Sequence, residues 1–140
     1  MNPENRLPPL FAAEITVQIG DINYGNHLAN DAVLRLCHEA RIRWLAQHNL
    51  TELDIGSQTG IIMTDAALQY TAQARHGDIL SVHLSAFAKG RSRFAITYRL
   101  IRNSDGKTIA TAETGMACFH YQNQKVCKIP ETFLALLQAV

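Results

Sequence analysis

One long segment of helical periodicity, set among segments that alternate, constrains the fold of this chain more than any other feature. From about Asp31 to His48, apolar residues recur at spacings of three and four and form one stripe. Most of the other regular stretches alternate apolar and polar residues, which is typical of strands with one buried face. A chain with one long helix and several strands is predicted to form an α+β fold.

One predicted strand precedes the long helix, and four follow it in an almost unbroken series. Five stretches read as extended: AEITVQIG, IIMTDAALQYTAQA, DILSVHLSAFA, RFAITYRLIR and KTIATAETGMACFHY. The breaks RHGD, AKGRS and NSDGK are short turns, which predict largely antiparallel pairing. IPETFLALLQAV is predicted to form a short helix that begins near Pro130. The predicted order is strand, long helix, four strands and short helix.

The exposed face of this sheet predicts an assembly. At 140 residues the chain is expected to form one domain, spanning 1–140. One helix covers only one sheet face, and the alternating residues from Phe94 to Leu100 are expected to lie on the second face. We therefore expect a homodimer or a larger symmetric assembly, such as a homotetramer.

Composition excludes several functions. The net charge is +1 and the basic residues are scattered, so no nucleic-acid partner is expected. The sequence contains no run of about 18 apolar residues, so no membrane span is expected. The proline-containing lead-in MNPENRLPPLF has no signal-peptide pattern, which favours the cytoplasm. Cys37, Cys118 and Cys127 lack the spacing of a disulfide framework or a metal site, and the first two are expected to be buried.

The segment GDINYGNHLANDAVL, residues 20–34, concentrates polar groups just before the long helix. It contains Asp21, Asn23, His27, Asn30 and Asp31 within fifteen residues. Asn30 is predicted to be the helix N-cap and Asp31 a first-turn acid. Such crowding at a helix start is typical of a site that uses the helix amides.

These motifs resemble the hotdog-fold acyl-CoA thioesterases, in particular the 4-hydroxybenzoyl-CoA thioesterase-like group. The family pattern D-x-D-x-x-G-H-V-N-N is matched by DINYGNHLAN, and its helix signature E-A-R by Glu39, Ala40 and Arg41. LQYTAQARHGD is similar to the family's Y-x-x-P-A-x-x-G-D segment, and KIPETFLALL to its closing helix. The resemblance covers nearly the whole chain.

The resemblance implies a hotdog fold, in which a five- or six-stranded antiparallel sheet wraps around one long helix. It also implies a site at the dimer interface near the N-terminus of that helix. The implied reaction is hydrolysis of an acyl-CoA or acyl-carrier-protein thioester to a free acid and the thiol. No metal or organic cofactor is implied, since CoA is part of the substrate.

The chain departs from the family at the second acid of the motif, where it has Asn23. An amide is a poor base and nucleophile, so the family's carboxylate role cannot be carried over. Three candidates for the base remain: His27, alone or paired with Asp31; Asp31 itself; and Asp65, entering from the facing subunit. In each case Asn23 is expected to position the water or the carbonyl. Each residue also has a purely structural interpretation as a turn or helix-start residue.

Backbone donors and a basic surface complete the predicted site. The backbone amides of Asn26, His27 and Leu28 are expected to stabilise the oxyanion.

The basic residues Lys89, Arg91 and Arg93 of the AKGRSR turn are expected to bind the CoA phosphates, with Arg75 and His76 as a second candidate pair. Two alternative functions stay open: a module that binds acyl thioesters without hydrolysing them, and a hydratase or dehydratase of the same fold.

Overall fold

The structure, a computed structural model, describes residues 8–138. Residues 1–7 of the predicted lead-in and the last two residues of the predicted C-terminal helix lie outside this range. The long helix, α1, spans Asn30–Gln47 and buries a continuous stripe against the sheet. Its buried residues are Ala32, Val33, Leu36, Cys37, Ala40, Arg41, Trp44 and Leu45.

The strands form one six-stranded antiparallel sheet, which confirms the predicted fold class. Their bounds are β1 Phe11–Thr16, β2 Thr59–Tyr70, β3 Ile79–Ala88, β4 Arg93–Arg102, β5 Lys107–His120 and β6 Lys125–Val126. The strand order is β1-β3-β4-β5-β2, and β6 pairs with the end of β5. The short helix α2, Glu131–Leu134, follows Pro130 as predicted, whereas β6 was not predicted.

The strand β2 occupies a sheet edge because it pairs only with β5 in the part of the chain that the structure describes. Its first residues are buried, but the strand is largely exposed from Ile62 to Tyr70. The exposed side chains include Ile62, Met63 and Tyr70, with exposed fractions of 36–48%. A long edge strand with apolar side chains is a surface suited to pairing with another chain.

Two predictions about the strands are wrong. Phe94 and Leu100 lie on the helix side and are at most 1% exposed, so the second sheet face carries intervening residues such as Thr97 and Arg99. Alternation shows that two faces differ, but not which one meets the helix. The stretch AEITVQIG is a strand only as far as Thr16, where β1 ends, and the 3₁₀ turn that follows leaves Ile19 71% exposed.

A polar network lies between α1 and the sheet. Arg41 is 4% exposed and donates hydrogen bonds to Glu52 (2.7 Å) and to the Tyr98 hydroxyl (2.9 Å). Tyr98 in turn lies 3.0 Å from the Thr114 hydroxyl, and His38 lies 2.9 Å from Glu52. A buried charge requires such partners, so this network joins the helix to the loop after it and to β4 and β5.

Candidate active site

Asn23 organises the loop that precedes α1. Its side-chain Oδ1 accepts hydrogen bonds from the amides of Gly25 (2.9 Å) and His27 (3.1 Å). Its own amide donates to the carbonyl of His27 at 2.8 Å, and Asn26 adopts a left-handed φ of 67° at the turn. Among the described residues, the Asn23 Nδ2 group makes no hydrogen bond. Asn23 therefore offers a hydrogen-bond donor to a ligand, while its oxygen holds the loop.

The loop amides expected to stabilise an oxyanion are already used, so that prediction is wrong. Asn26 donates to the carbonyl of Asn23 at 3.0 Å, and Leu28 donates to the carbonyl of Ala74 at 2.7 Å. The third amide, that of His27, donates to Asn23 Oδ1. The bonds of Asn26 and His27 instead close the loop on itself, and that of Leu28 fixes it against the segment that follows β2.

The N-terminus of α1 supplies other donors. The N-cap residue is Ala29 rather than the predicted Asn30, and no side chain caps this end. The first amides of a helix have no partner within it, and here those of Asn30 and Asp31 donate to no acceptor within residues 8–138. An 18-residue helix thus presents two free amides and the positive end of its dipole.

A cleft of about 350 Å³ opens at this helix end. Asn23, His27 and Asn30 line one side, and Tyr70 lines the other, where its hydroxyl donates to the Asn30 carbonyl at 3.2 Å. The remaining lining residues are Leu28, Val33, Thr71, Ala72, Gln73, Ile109 and Ala110. The cleft therefore combines an apolar wall with donors at the helix end, which suits a polar carbonyl attached to an apolar group.

The structure brings only two of the four predicted catalytic residues, Asn23 and His27, into this cleft. His27 precedes the helix, so it does not share a helical face with Asp31, and the His27–Asp31 pair is not formed. The Asp31 carboxylate is 81% exposed and lies 3.5 Å from Arg35.

Asp65 lies midway along the exposed edge strand β2, outside the cleft of its own chain. Its Oδ1 accepts a hydrogen bond from the Thr64 hydroxyl at 2.7 Å, where the register of β2 shifts. The carboxylate lies over Gly115 of β5, where a Cβ would come within 2.1 Å of Oδ1. Asp65 therefore lies on the edge strand, but its carboxylate leans across the sheet towards β5 rather than towards the free edge.

The predicted phosphate-binding residues Lys89, Arg91 and Arg93 lie at the far end of the sheet from the cleft. Arg93 pairs with Ala117, whereas Ala110, in the cleft wall, lies seven residues earlier along β5. Seven residues of strand span roughly 23 Å. These cations are therefore remote from the cleft of their own chain.

Sequence reasoning missed the contribution of Tyr70 and of the segment 71–73 to the cleft. No periodic signal marks them, because they reach the helix end through the edge position of β2. The prediction that Cys37 and Cys118 are buried is confirmed. Burial raises the pKa of both thiols to about 12, which leaves them protonated at neutral pH. Within residues 8–138, no three His, Cys, Asp or Glu side chains form a cluster that could hold a metal ion.

The helix-on-sheet architecture and the cleft at the helix end define a hotdog-fold protein of the thioesterase type. A family model described as the thioesterase-like superfamily matches residues 17–137. The chain therefore belongs to this superfamily.

Relatives and solved structures agree with this membership. A 1,4-dihydroxy-2-naphthoyl-CoA hydrolase of Thermosynechococcus vestitus is 30% identical over 141 residues, which cover 99% of this chain and 93% of the relative. The fold is shared with a 1,4-dihydroxy-2-naphthoyl-CoA thioesterase from Synechocystis (TM-score 0.82, 24% identity, 91% and 94% of the two chains). It is also shared with a Staphylococcus aureus protein solved in complex with CoA (TM-score 0.78, 17% identity, 97% and 91% of the chains).

Proposed function

We propose that this protein is an acyl-CoA thioesterase that hydrolyses its substrate in the cleft at the N-terminus of α1. The observation that carries the proposal is the uncapped helix end, where the free amides of Asn30 and Asp31 lie beside Asn23 and His27. Preorganised backbone amides stabilise the oxyanion of a tetrahedral intermediate, which is the central requirement of thioester hydrolysis. Membership of the thioesterase-like superfamily supports the same reaction.

In the proposed mechanism His27 is the general base. Its imidazole accepts a proton from a water molecule as the water oxygen attacks the thioester carbon. The carbonyl oxygen becomes an oxyanion held by the helix amides. The C–S bond then breaks, and the proton returns from the imidazolium to the departing thiolate. The products are a carboxylic acid and CoA.

Asn23 has a different role in this mechanism from the carboxylate found at this position in the resembled family. Its Nδ2 group donates to the carbonyl oxygen or to the attacking water, while its Oδ1 keeps the loop closed. Asn23→Asp preserves the acceptors for both loop amides but removes the donor and adds a negative charge beside the oxyanion. We expect kcat to fall by about tenfold to a hundredfold. A rise in kcat would contradict the assignment of His27 as the base.

His27→Ala is the direct test of the base. The substitution keeps the backbone bonds to Asn23, so the loop is retained, and kcat is expected to fall by about 10²-fold or more. His83→Ala is the control, because His83 alternates with buried residues of β3 and lies on the opposite sheet face. If His27→Ala keeps the wild-type kcat/KM, the base is Asp31 or an Asp65 contributed by a second chain, the two candidates that stay predictions.

The acyl group is proposed to be aromatic. Several relatives at 25–30% identity are named as hydrolases of 1,4-dihydroxy-2-naphthoyl-CoA, and Leu28, Val33 and Ile109 give the cleft an apolar wall against which a ring could pack. The test is release of free thiol from aromatic, short aliphatic and long aliphatic acyl-CoAs. Binding without turnover would support the non-catalytic module, and addition of water to an enoyl-CoA would support the hydratase.

The active assembly is proposed to be a dimer formed through β2. Pairing of two β2 strands about a two-fold axis would cover Ile62 and Met63. It would also bring the β3–β4 hairpin of the second copy to the end of the sheet that carries the cleft. Ile62→Lys is expected to yield monomers in sedimentation velocity, whereas Leu134→Lys, at an exposed position of α2, is not. Dimers of both variants would exclude this interface.

Three expectations from the sequence stay predictions: a tetramer built from these dimers, a cytoplasmic location and hydrolysis without a cofactor. Neither helix of the described range has both the length and the apolar character needed to traverse a bilayer.

A further inference from the structure

Tyr70 carries the only benzene ring among the described residues that line the cleft. The other lining side chains are aliphatic, amide, hydroxyl or imidazole groups. Tyr70 is 48% exposed, so much of its surface is available to a ligand. A flat, partly exposed ring in a cleft is suited to stacking on a second flat ring.

The protein fixes the Tyr70 side chain at both of its ends. The hydroxyl donates to the carbonyl of Asn30, the first residue of α1, at 3.2 Å. The backbone pairs with Ala110 of β5. The amide of the next residue, Thr71, donates to the Ile109 carbonyl at 2.9 Å. A ring held in this way loses little further freedom when a ligand packs on it.

The neighbours of Tyr70 leave part of its ring uncovered. In an antiparallel sheet, an aromatic side chain interacts with the side chain directly across from it. The residue across from Tyr70 is Ala110, whose single methyl group covers little of a ring. Ala72, two residues along the chain, is equally small, and both alanines line the cleft. Space for a ligand therefore remains beside the ring.

The ring lies next to the place proposed for the thioester carbonyl. Asn30 accepts the hydrogen bond from Tyr70 through its carbonyl, and its free amide is one of the proposed oxyanion donors. The acyl group is bonded to the carbonyl carbon, so it lies within reach of the ring. At about 350 Å³ the cleft is near the lower end of small-molecule sites, about 300–1,000 Å³, which suits an acyl thioester better than a whole CoA molecule.

We propose that Tyr70 determines the acyl specificity by stacking its ring on a planar acyl group whose carbonyl is held at the start of α1. This inference rests on the proposed thioesterase function, and it gives Tyr70 no part in bond making. The apolar side chains that line the cleft contact flat and saturated groups alike, so the preference for a flat group comes from the ring. In the dimer proposed through β2, the strands pair through backbone groups at the edge, whereas the ring lies on the helix side. Tyr70 therefore keeps this role in the dimer.

The test compares a planar acyl group with its saturated counterpart. Wild type, Tyr70→Leu and Tyr70→Phe are assayed with 2-naphthoyl-CoA and with decahydro-2-naphthoyl-CoA. We expect Tyr70→Leu to raise KM for 2-naphthoyl-CoA about threefold to tenfold, the range for loss of one aromatic pair, and to change KM for the saturated thioester less than about twofold. Tyr70→Phe keeps the ring and loses the hydroxyl, so it is expected to retain most of the wild-type preference.

Tyr24→Leu is the matched control, because Tyr24 is fully exposed and does not line the cleft. Both of its KM values are expected to match those of the wild type. An unchanged KM of Tyr70→Leu for 2-naphthoyl-CoA, or an equal rise for the two thioesters, would overturn the inference. Equal losses in Tyr70→Phe and Tyr70→Leu would also overturn it, since they would assign the effect to the bond with Asn30 and not to the ring.

The failure of the proposed function has a different signature. A wild type that hydrolyses neither thioester would refute the thioesterase activity. The dissociation constants of the two thioesters, measured by calorimetry for the same variants, would then take the place of KM. The same ratios are expected, and equal changes for the two thioesters would again overturn the inference.

Discussion

Removal of the carboxylate at position 52 is expected to destabilise the protein through the polar network under α1. Glu52→Gln leaves the Arg41 guanidinium, which is 4% exposed, without its charged partner at 2.7 Å. Breaking a fully buried pair costs about 3–5 kcal/mol. Glu52 itself is 28% exposed, so water partly replaces the lost interaction, and we expect a loss of about 2 kcal/mol in the free energy of unfolding.

Glu39→Gln is the matched control for this variant. Glu39 forms an ion pair of nearly equal length with Arg43 (2.6 Å), but both side chains are 44–49% exposed. An exposed helical pair contributes about 0.3–0.5 kcal/mol. Urea unfolding of each variant, followed by the fluorescence of the buried Trp44 at one protein concentration, measures the difference. Equal losses for Glu52→Gln and Glu39→Gln would refute the reasoning from burial.

The effect of Glu52→Gln also depends on pH. Burial opposes ionisation of Glu52, but hydrogen bonds from Arg41 and His38 outweigh it and hold the pKa of this carboxyl below the ordinary value of 4.5. A carboxyl whose pKa is lowered by folding contributes stability above its unfolded pKa and loses it as the pH falls. The difference between wild type and Glu52→Gln is therefore expected to be complete at pH 7 and to shrink below about pH 4.5.

Two further predictions concern packing and thiol reactivity. Gly60→Ala would place a Cβ 2.2 Å from the Tyr121 ring and 2.9 Å from a backbone carbonyl. This variant should lower the free energy of unfolding, measured in urea, by about 1–3 kcal/mol. Gly20→Ala is the control: its Cβ would have no atom within 4 Å, and the loss should be less than about 0.5 kcal/mol. At pH 8, Cys37 and Cys118 should resist a thiol reagent in the native protein and react in urea, because burial raises both pKa values to about 12; rapid labelling of the native protein at either would contradict this.

Local periodicity was sufficient to predict most of the elements. The apolar stripe predicted α1 to within one residue at each end, and the RFAITYRLIR stretch coincides with β4. These predictions succeed because a helix and a strand impose different repeats on the residues that face a core. The charged pair of Glu39 with Arg43, four residues apart, follows from the same helical geometry.

Predictions that depended on hydrogen-bond partners succeeded less often. The sequence places Asn30 where a helix cap is favoured, yet the helix includes Asn30 and begins after Ala29. The sequence of the loop gave no hydrogen-bond acceptor for the backbone amides of His27 and Leu28. In the structure the side chain of Asn23 and the carbonyl of Ala74 accept these two hydrogen bonds. Such partners depend on the path of the chain as well as on local preference, and no pattern of residue types specifies that path.

The sequence by itself determined the helix, the strands, the antiparallel sheet and the polar segment before the helix, since each depends on residues near one another in the chain. Tertiary structure decided which sheet face meets the helix and that β2 lies at an edge. The edge position brings Tyr70 to the helix end, and the pairing of Arg102 with Lys107 places these two cations beside the segment after β2. Long-range strand order thus assembles the cleft from residues that are distant in sequence.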